Sequence, residues 1–357
     1  VGIHLLKKVA IVGGGITGLT TALFLSKKNF EVTLFEKNKL LMETSSKTTQ
    51  LIHGGLRYLE SFQLKEVQNG LNDRAWWFRN FPNETKEISF LIPFQRKNID
   101  FYKHFLGVKF YDFLAGYQNL SSSRIVDFKT IEGFGLLPNF QKGIIFSDGH
   151  MKETLSQKLI EQTKANQVSL IEEHEINVLD SNGKVGNKIY DAVIISAGPW
   201  TKELLDKNNI FTKFDIDYIK GSHLVFEHYL NPESSAGFML PDINKERYIF
   251  VLPTSKGTLV GTTEVPINHP NYHSVNKFEE DYLIESINNY FVKKFKRDAI
   301  IDSYSGVRPL IKKESNDFHN ASRDFVIEKQ GKLFSIFGGK WTTSPSIARK
   351  IVKMLST

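Results

Sequence analysis

Hydrophobic positions at the head of the chain fall into a tight sequence of patterns. KVAIV is a short apolar block, GGGITG interrupts it, LTTALFLSKK carries apolar residues at helical spacing, and EVTLF is a second apolar block. This predicts a strand over 9–12, a turn at Gly13, Gly15 and Gly18, a helix over 19–28 and a strand over 32–35. Further on, Leu64, Val67, Leu71, Ala75 and Phe78 recur near i, i+3, i+4, which predicts a helix over 62–81 ended by Pro82. A helix is expected over 149–165, a strand over 169–180 and a buried strand in DAVIISAGPW, 191–200. From 218 to 265 apolar and polar positions alternate with period two between turn residues, the pattern of an antiparallel sheet. Residues 277–296 read as a helix. YSGVRPLI and ASRDFVI each place an arginine, Arg308 and Arg323, in a short loop beside a strand. The last pattern, KLFSIFGGKWTTSPSIARKIVKML, is a strand, a Gly338-Gly339-Lys340 turn and a helix with Thr342 or Thr343 near its start.

Two grammars therefore alternate, and the fold class they predict is α/β. A Rossmann-like nucleotide-binding domain is expected over 1–80, 141–213 and 320–357. A β-rich, antiparallel substrate or cap domain is expected to be inserted over 81–140 and 214–319. The turn has G-x-G-x-x-G spacing, and Glu36 closes the second strand eighteen positions after Gly18. Gly13 permits the turn, Gly15 lets backbone approach a pyrophosphate, and Gly18 lets the helix pack on the sheet. The helix N-terminus favours phosphate, and a carboxylate at Glu36 suits a ribose diol. The second junction, strand–Gly338-Gly339–helix, again aims N–H groups at a ligand. The small-residue turn after 191–196 returns the chain to the nucleotide, which points to FAD rather than NAD.

Composition narrows the classes. With 41% hydrophobic and 24% charged residues over 357 positions, the chain is globular and long enough for two intertwined domains. No apolar run reaches the length of a membrane span, and VGIHLLKKVA is too short and too soon strand-like for a signal peptide. The sequence has no cysteine, hence no disulfide, thiolate metal site or thiol redox chemistry, and a reducing compartment is expected. No HExxH, CxxC or paired-carboxylate spacing appears, so no metal is assigned. A net charge of +7 suits an anionic partner, whether phosphorylated substrate, anionic lipid or nucleic acid. Residues 101–117, FYKHFLGVKFYDFLAGY, mix aromatics with Lys103, His104 and Lys109. They are read as a helix covering a core, with an amphipathic element on a membrane surface as the alternative.

GGGITG, TSSKTTQLIHGGLRYLE, ISAGPW, KGSHLVF, GTTEV, YSGVRPL, SRDFVI and FGGKWTT, in this order, resemble FAD-dependent glycerol-3-phosphate dehydrogenases, among the D-amino-acid-oxidase-like flavoproteins. HGGLRYLE and GVRPL are the specific carriers. In two places the sequence departs: Gln50 stands where the group often has lysine, and the sequence ends at Thr357 where members usually continue into a helical domain. The resemblance implies FAD held by Gly13, Gly15, Ile16, Thr17, Gly18, Glu36, Lys37, Thr44, Ser45, Ser46, Gln50, Leu51, Ala197, Gly198, Trp200, Gly338, Gly339, Lys340, Trp341 and Thr342. It implies sn-glycerol 3-phosphate as substrate, held by Arg57, Tyr58, Thr262, Thr263, Arg308, Arg323 and Lys340. His53 is the expected general base, His223 the second candidate, and Arg308 an electrostatic stabiliser of the alkoxide. Electrons are expected to leave to a membrane quinone, with oxygen as the alternative. An amine or amino-acid oxidase on the same fold is the other reading, whose carboxylate substrate would need one or two arginines. A cytoplasmic place is expected, peripheral on the inner face of the cell membrane, with no nucleic-acid partner.

Overall fold

The computed structural model describes residues 6–60, 62–127, 129, 133–230, 236–271, 274–312 and 325–357. In chain order the elements are β1 (Lys8–Val12), α1 (Ile16–Ser26), β2 (Glu31–Phe35), β3 (Leu51–Ile52), α2 (Leu64–Asn80), β4 (Thr85–Phe94), α3 (Ile99–Ala115), β5 (Arg124–Asp127), β6 (Lys142–Met151), α4 (Thr154–Ala165), β7 (Ser169–Ile171), β8 (Lys184–Val185) and β9 (Lys188–Ile189). There follow β10 (Ala192–Ile195), α5 (Thr201–Lys207), β11 (Ile216–Phe226), β12 (Ala236–Pro241), β13 (Tyr248–Pro253), β14 (Thr258–Gly261), β15 (Val265–Ile267), α6 (Lys277–Asn288), β16 (Ile300–Ile311), β17 (Phe325–Gln330), β18 (Leu333–Gly338) and α7 (Ser344–Ser356).

The opening pattern folds as expected. β1 is apolar on both faces because it is central: β10 and β2 flank it in parallel, in the order β17-β18-β10-β1-β2-β7. Val9, Ala10 and Ile11 are fully buried, as are Leu19, Ala22 and Leu23 of α1. Each buried leucine or isoleucine contributes about 1.5–3 kcal/mol relative to exposure. α7 packs beside α1 through Ile347 and Ile351, so segments far apart in sequence close one core.

The second sheet has the order β15-β11-β14-β13-β12-β4-β6-β3, with β16 also on β11 and β5 on β6. It is largely antiparallel, although β12 and β4 run parallel. Residues 142–151, placed by their sequence boundary with the nucleotide-binding part, are β6 of this sheet. Their ten residues pair in full register with β4, from Phe94–Lys142 to Thr85–Met151. For the same reason the helix expected from 149 begins only at Thr154: Gly149 and His150 are still paired with β3. The strand expected over 169–180 is confined to 169–171, the residues that meet β2. The helix expected over 277–296 stops at Asn288, whose Oδ1 accepts the Phe295 N–H at 2.8 Å and closes the turn.

α3 is a helix, and its packing is two-sided. Phe101, Val108, Tyr111 and Ala115 are buried, whereas Ile99, Tyr102, Leu106, Phe110, Phe113 and Tyr117 form an exposed apolar stripe. The expectation of a helix covering a core therefore holds for only one face.

Candidate functional site

At the C-terminal end of β1 the backbone makes a cradle. Gly13 has φ +110°, and a Cβ there would lie 2.5 Å from the Ser196 carbonyl oxygen, so only glycine fits. A Cβ on Gly18 would lie 2.0 Å from the Gly13 oxygen, which is how closely α1 sits on the turn. At Gly15 a Cβ would meet only Ser45 Oγ, at 3.2 Å, leaving the space beyond the turn for a ligand. α1 has no side-chain cap and no acidic residue in its first turn, and Ile16 N–H donates to Ser45 Oγ at 3.0 Å. Glu36 accepts from the Gly14 N–H at 2.6 Å and the Asn38 N–H at 2.8 Å. A carboxylate has about four acceptor positions, so two remain for a diol. Opposite, Gly338 and Gly339 take φ +76° and +94°, and a Cβ on Gly339 would come to 3.7 Å from Thr17 Oγ1. Backbone donors, a dipole end and a placed carboxylate fit the diphosphate and ribose of FAD.

From this cradle a cavity of about 300 Å³ runs between the two sheets. Ile16, Thr44, Ser45, Leu51, Gly338 and Trp341, in or beside the cradle segments, line it together with His53, Arg57, Tyr58, Thr262, Arg308 and Lys340. The segment 44–49 is stitched to β16 and to the turn after β18. Trp341 Nε1 donates to the Ser45 carbonyl at 2.8 Å, Tyr304 OH donates to the Thr48 carbonyl at 2.8 Å, and Thr44 Oγ1 donates to the Val307 carbonyl at 3.2 Å. Thr342 also lines the cavity although it is buried, and its carbonyl accepts from Trp77 Nε1 at 3.2 Å.

Three guanidiniums converge on one carboxylate of the lining. Arg308 lies inside β16, not in the loop expected for it, because the whole of 300–311 pairs with β11. Its Nη1 donates to Glu264 Oε1 at 2.9 Å and its Nη2 to Thr262 Oγ1 at 2.9 Å. The same Glu264 oxygen lies 3.5 Å from Arg247 Nη2 and 4.0 Å from Arg57 Nη1. Lys340 Nζ donates to Tyr58 OH and lies over that ring, 4.4 Å from its centroid. Sequence reasoning missed Arg247, Glu264 and Tyr248, all of which line the cavity. The signals were slight: an arginine at the head of an apolar strand and a carboxylate after two threonines.

His53 lines the cavity at the end of β3. The backbone beside it is clamped: Gly54 N–H donates to Asp148 Oδ1 at 3.3 Å, and Asp148 also accepts from Arg74 at 3.0 Å and Tyr111 OH at 2.9 Å. All three side chains are buried. Burial raises the Asp148 pKa, while Arg74 opposes the shift. His223 is 2% exposed and stacks on Tyr304, with Nε2 paired to the Thr49 hydroxyl at 2.8 Å. Burial, reinforced by Arg308 and Arg247, lowers its pKa to about 3, so it is neutral at ordinary pH.

Other expected residues are placed elsewhere. Thr263 is buried with its hydroxyl on Glu279 Oε1 at 2.9 Å and accepting from Ser222 N–H at 2.9 Å, a structural anchor rather than a cavity wall. Lys37 is exposed and pairs with Glu175 at 3.0 Å; Trp200 Nε1 donates to Asn271 Oδ1 at 2.9 Å; Ser46 Oγ donates to the Met42 carbonyl at 2.6 Å. None of these three lines the cavity. Gln50 takes φ +59° just before β3, and Ala197 and Gly198 follow β10 beside the Gly13 turn. Arg323 lies outside the described residues. Among the described residues no cluster of metal-ligating side chains occurs, and no helix is long and apolar enough to cross a membrane.

Against known proteins, residues 8–354 match the family described as FAD dependent oxidoreductase. Glycerol-3-phosphate dehydrogenase of Pseudomonas tolaasii is 28% identical over 98% of this chain and 71% of its own length. Aerobic glycerol-3-phosphate dehydrogenase of Bacillus subtilis is 30% identical over 97% of this chain and 66% of its own. The chain thus spans about two thirds of the length of such relatives. Among solved structures, L-α-glycerophosphate oxidase of Mycoplasma pneumoniae with FAD bound superposes with a TM-score of 0.76 at 19% identity, over 99% of this chain and 95% of that one.

Proposed function

Because the chain belongs to the family of FAD-dependent oxidoreductases, we propose that it oxidises sn-glycerol 3-phosphate to dihydroxyacetone phosphate. The observation that carries this reading is the convergence of Arg57, Arg247 and Arg308 on Glu264 in the cavity wall, with Lys340 held on Tyr58, next to Arg57 in the chain. Guanidinium forks match phosphate oxygens, and a dianion uses more cations than the one or two arginines a carboxylate needs. The names of the relatives support the same substrate.

Bound FAD supplies a hydride acceptor at its N5 atom. The cradle glycines, Glu36 and the wall formed by Ser45 and Trp341 would hold it. Arg57, Arg247, Arg308 and Lys340 bind the phosphate and fix the C2 carbon between the flavin end and His53. The His53 imidazole takes the C2 hydroxyl proton, with its main chain held by the Asp148 clamp. His223 is a weaker candidate for that step, since a group with pKa about 3 accepts protons poorly at neutral pH; its bond to Thr49 makes it an orienting wall. Thr262 steadies Arg308, which stabilises charge developing on the substrate oxygen.

A membrane quinone is the proposed electron acceptor. The exposed stripe of α3, with Lys103 and Lys109 on the same helix, supports a peripheral place at an anionic membrane. The test is anaerobic bleaching of the flavin by glycerol 3-phosphate, followed by mixing with a short-chain quinone or with air. Bleaching by this substrate but not by glycerol or amino acids is expected, with faster reoxidation by quinone. No bleaching of FAD-loaded protein sinks the substrate assignment, and faster reoxidation by air replaces dehydrogenase by oxidase.

A further inference from the structure

Glu264 sits in the anion-binding end of the cavity with a negative charge, where an incoming phosphate would meet repulsion. Its place there is built. The neighbouring Thr263 is anchored by Glu279 and Ser222, which fixes the chain between β14 and β15 and turns the next side chain toward the cavity. The carboxylate is 11% exposed, and its one oxygen Oε1 is shared: 2.9 Å from Arg308, 3.5 Å from Arg247 and 4.0 Å from Arg57. These arginines come from β16, from the turn before β13 and from the 3₁₀ turn Leu56–Leu59, segments far apart in sequence. Three guanidiniums so close would otherwise repel one another.

We propose that Glu264 is the resident counter-ion of the arginine cluster. It holds the three guanidiniums converged before substrate arrives, and it tempers their pull on a dianion so that substrate and product can leave. The inference rests on the phosphate-substrate reading above and assigns to that site a residue that sets its charge selectivity.

Electrostatics gives a test that separates this role from a structural one. The energy of an anion in the cluster scales with its charge multiplied by the local potential. Removing the carboxylate raises that potential, so a dianion gains more than a monoanion of the same shape. Loss of packing or positioning weakens both alike. The FAD-loaded full chain is compared with its Glu264→Gln variant at pH 8, where a phosphate ester with second pKa of about 6 is a dianion. The probes are glycerol 3-phosphate and its monoanionic isostere glycerol 3-sulfate. Apparent dissociation constants come from the concentration dependence of anaerobic flavin bleaching, or for the sulfate by competition.

The preference for phosphate over sulfate is expected to widen about tenfold in Glu264→Gln, the scale for one charge removed within a few ångströms in a partly screened site. Glu264→Ala carries the same expectation and serves if the glutamine variant does not hold FAD. Glu264→Asp keeps the charge, and its preference should stay within about twofold of the wild type. An unchanged or narrowed preference in the charge-removed variants overturns the proposal, as does a widening of equal size in Glu264→Asp. Wild-type flavin that glycerol 3-phosphate does not bleach overturns both this inference and the function it rests on. Bleaching with an unmoved preference overturns this inference alone.

Discussion

The two ends of the cavity are made of different material. At the cradle end the recognising groups are backbone: N–H groups of the Gly13–Gly18 turn, the N-terminus of α1 and the paired glycines after β18. Around Glu264 they are side chains from separate segments: Arg57, Arg247, Glu264, Arg308 and Lys340. A backbone site needs the absence of Cβ atoms at fixed intervals along one stretch. A side-chain site needs only that distant stretches meet, and any loop long enough to deliver a charge will serve. The first is rigid and intolerant of addition, whereas the second tolerates small changes and is sensitive to charge.

This contrast orders what substitutions should do. The largest effect is expected from Gly18→Val, since even its Cβ would fall 2.0 Å from the Gly13 oxygen: FAD should no longer copurify, checked by the flavin absorbance of the purified protein. Normal flavin content in that variant would break the picture of a steric backbone site. Next, Arg308→Ala removes a charge-assisted contact and should cost about 2–4 kcal/mol, or about 30–1000-fold in kcat/KM, with FAD content intact. Wild-type kinetics would remove Arg308 from the anion end. Asp148→Asn leaves the Gly54 N–H an acceptor but weakens the Arg74 and Tyr111 contacts; a fall of about tenfold in the flavin reduction rate at unchanged KM is expected, and a changed KM instead would argue against a clamp on His53.

Stability should respond to acid through two buried histidines, of which His223 lines the cavity. His223 and His150 have pKa values lowered by burial to about 3 and about 4, against an unfolded value of 6.5. Below pH 6.5 the unfolded chain binds protons that the folded one refuses, so stability is full above 6.5 and is lost as pH falls toward those values, by up to about 1.4 kcal/mol per pH unit for each histidine. Denaturant midpoints between pH 7.5 and 4.5 check this, and His223→Gln should flatten the slope. Smallest of all, Lys37→Ala should leave FAD affinity unchanged, because its ammonium faces Glu175 at the surface; a marked loss would return Lys37 to the cradle.

The same contrast explains what was legible. The β1–α1–β2 unit, Glu36 and the Gly338–Gly339 junction could be read from spacing, since their geometry depends on contiguous residues. His53, Arg57 and Arg308, singled out by the resemblance and by the glycines and proline beside them, all line the cavity, although Arg308 is held within a strand. Arg247 was invisible: nothing around it differs from a strand beginning with a surface cation, and only the approach of Glu264 across the sheet reveals it. Thr262 and Thr263 are adjacent and chemically alike, yet one lines the cavity and the other is consumed by Glu279, a distinction made by a helix starting at 277. The boundary near residue 141 failed for a related reason, since whether an apolar strand joins one sheet or the other depends on β4, fifty residues earlier.

The return of β18 and α7 to the opening unit has a consequence in time. β10, the parallel neighbour of β1, is synthesised about 180 residues after it, and the glycine pair facing the first turn about 320 residues after. A ribosome adding about 5–20 residues per second therefore leaves the Gly13 turn facing an unfinished partner for many seconds. Until Lys340 and α7 emerge, half of the cradle does not exist, and the exposed edge of β1 must be kept from other pairings. Cofactor loading thus follows the emergence of β18 and α7, and FAD supply acts on a late step in the assembly of this fold rather than on the first.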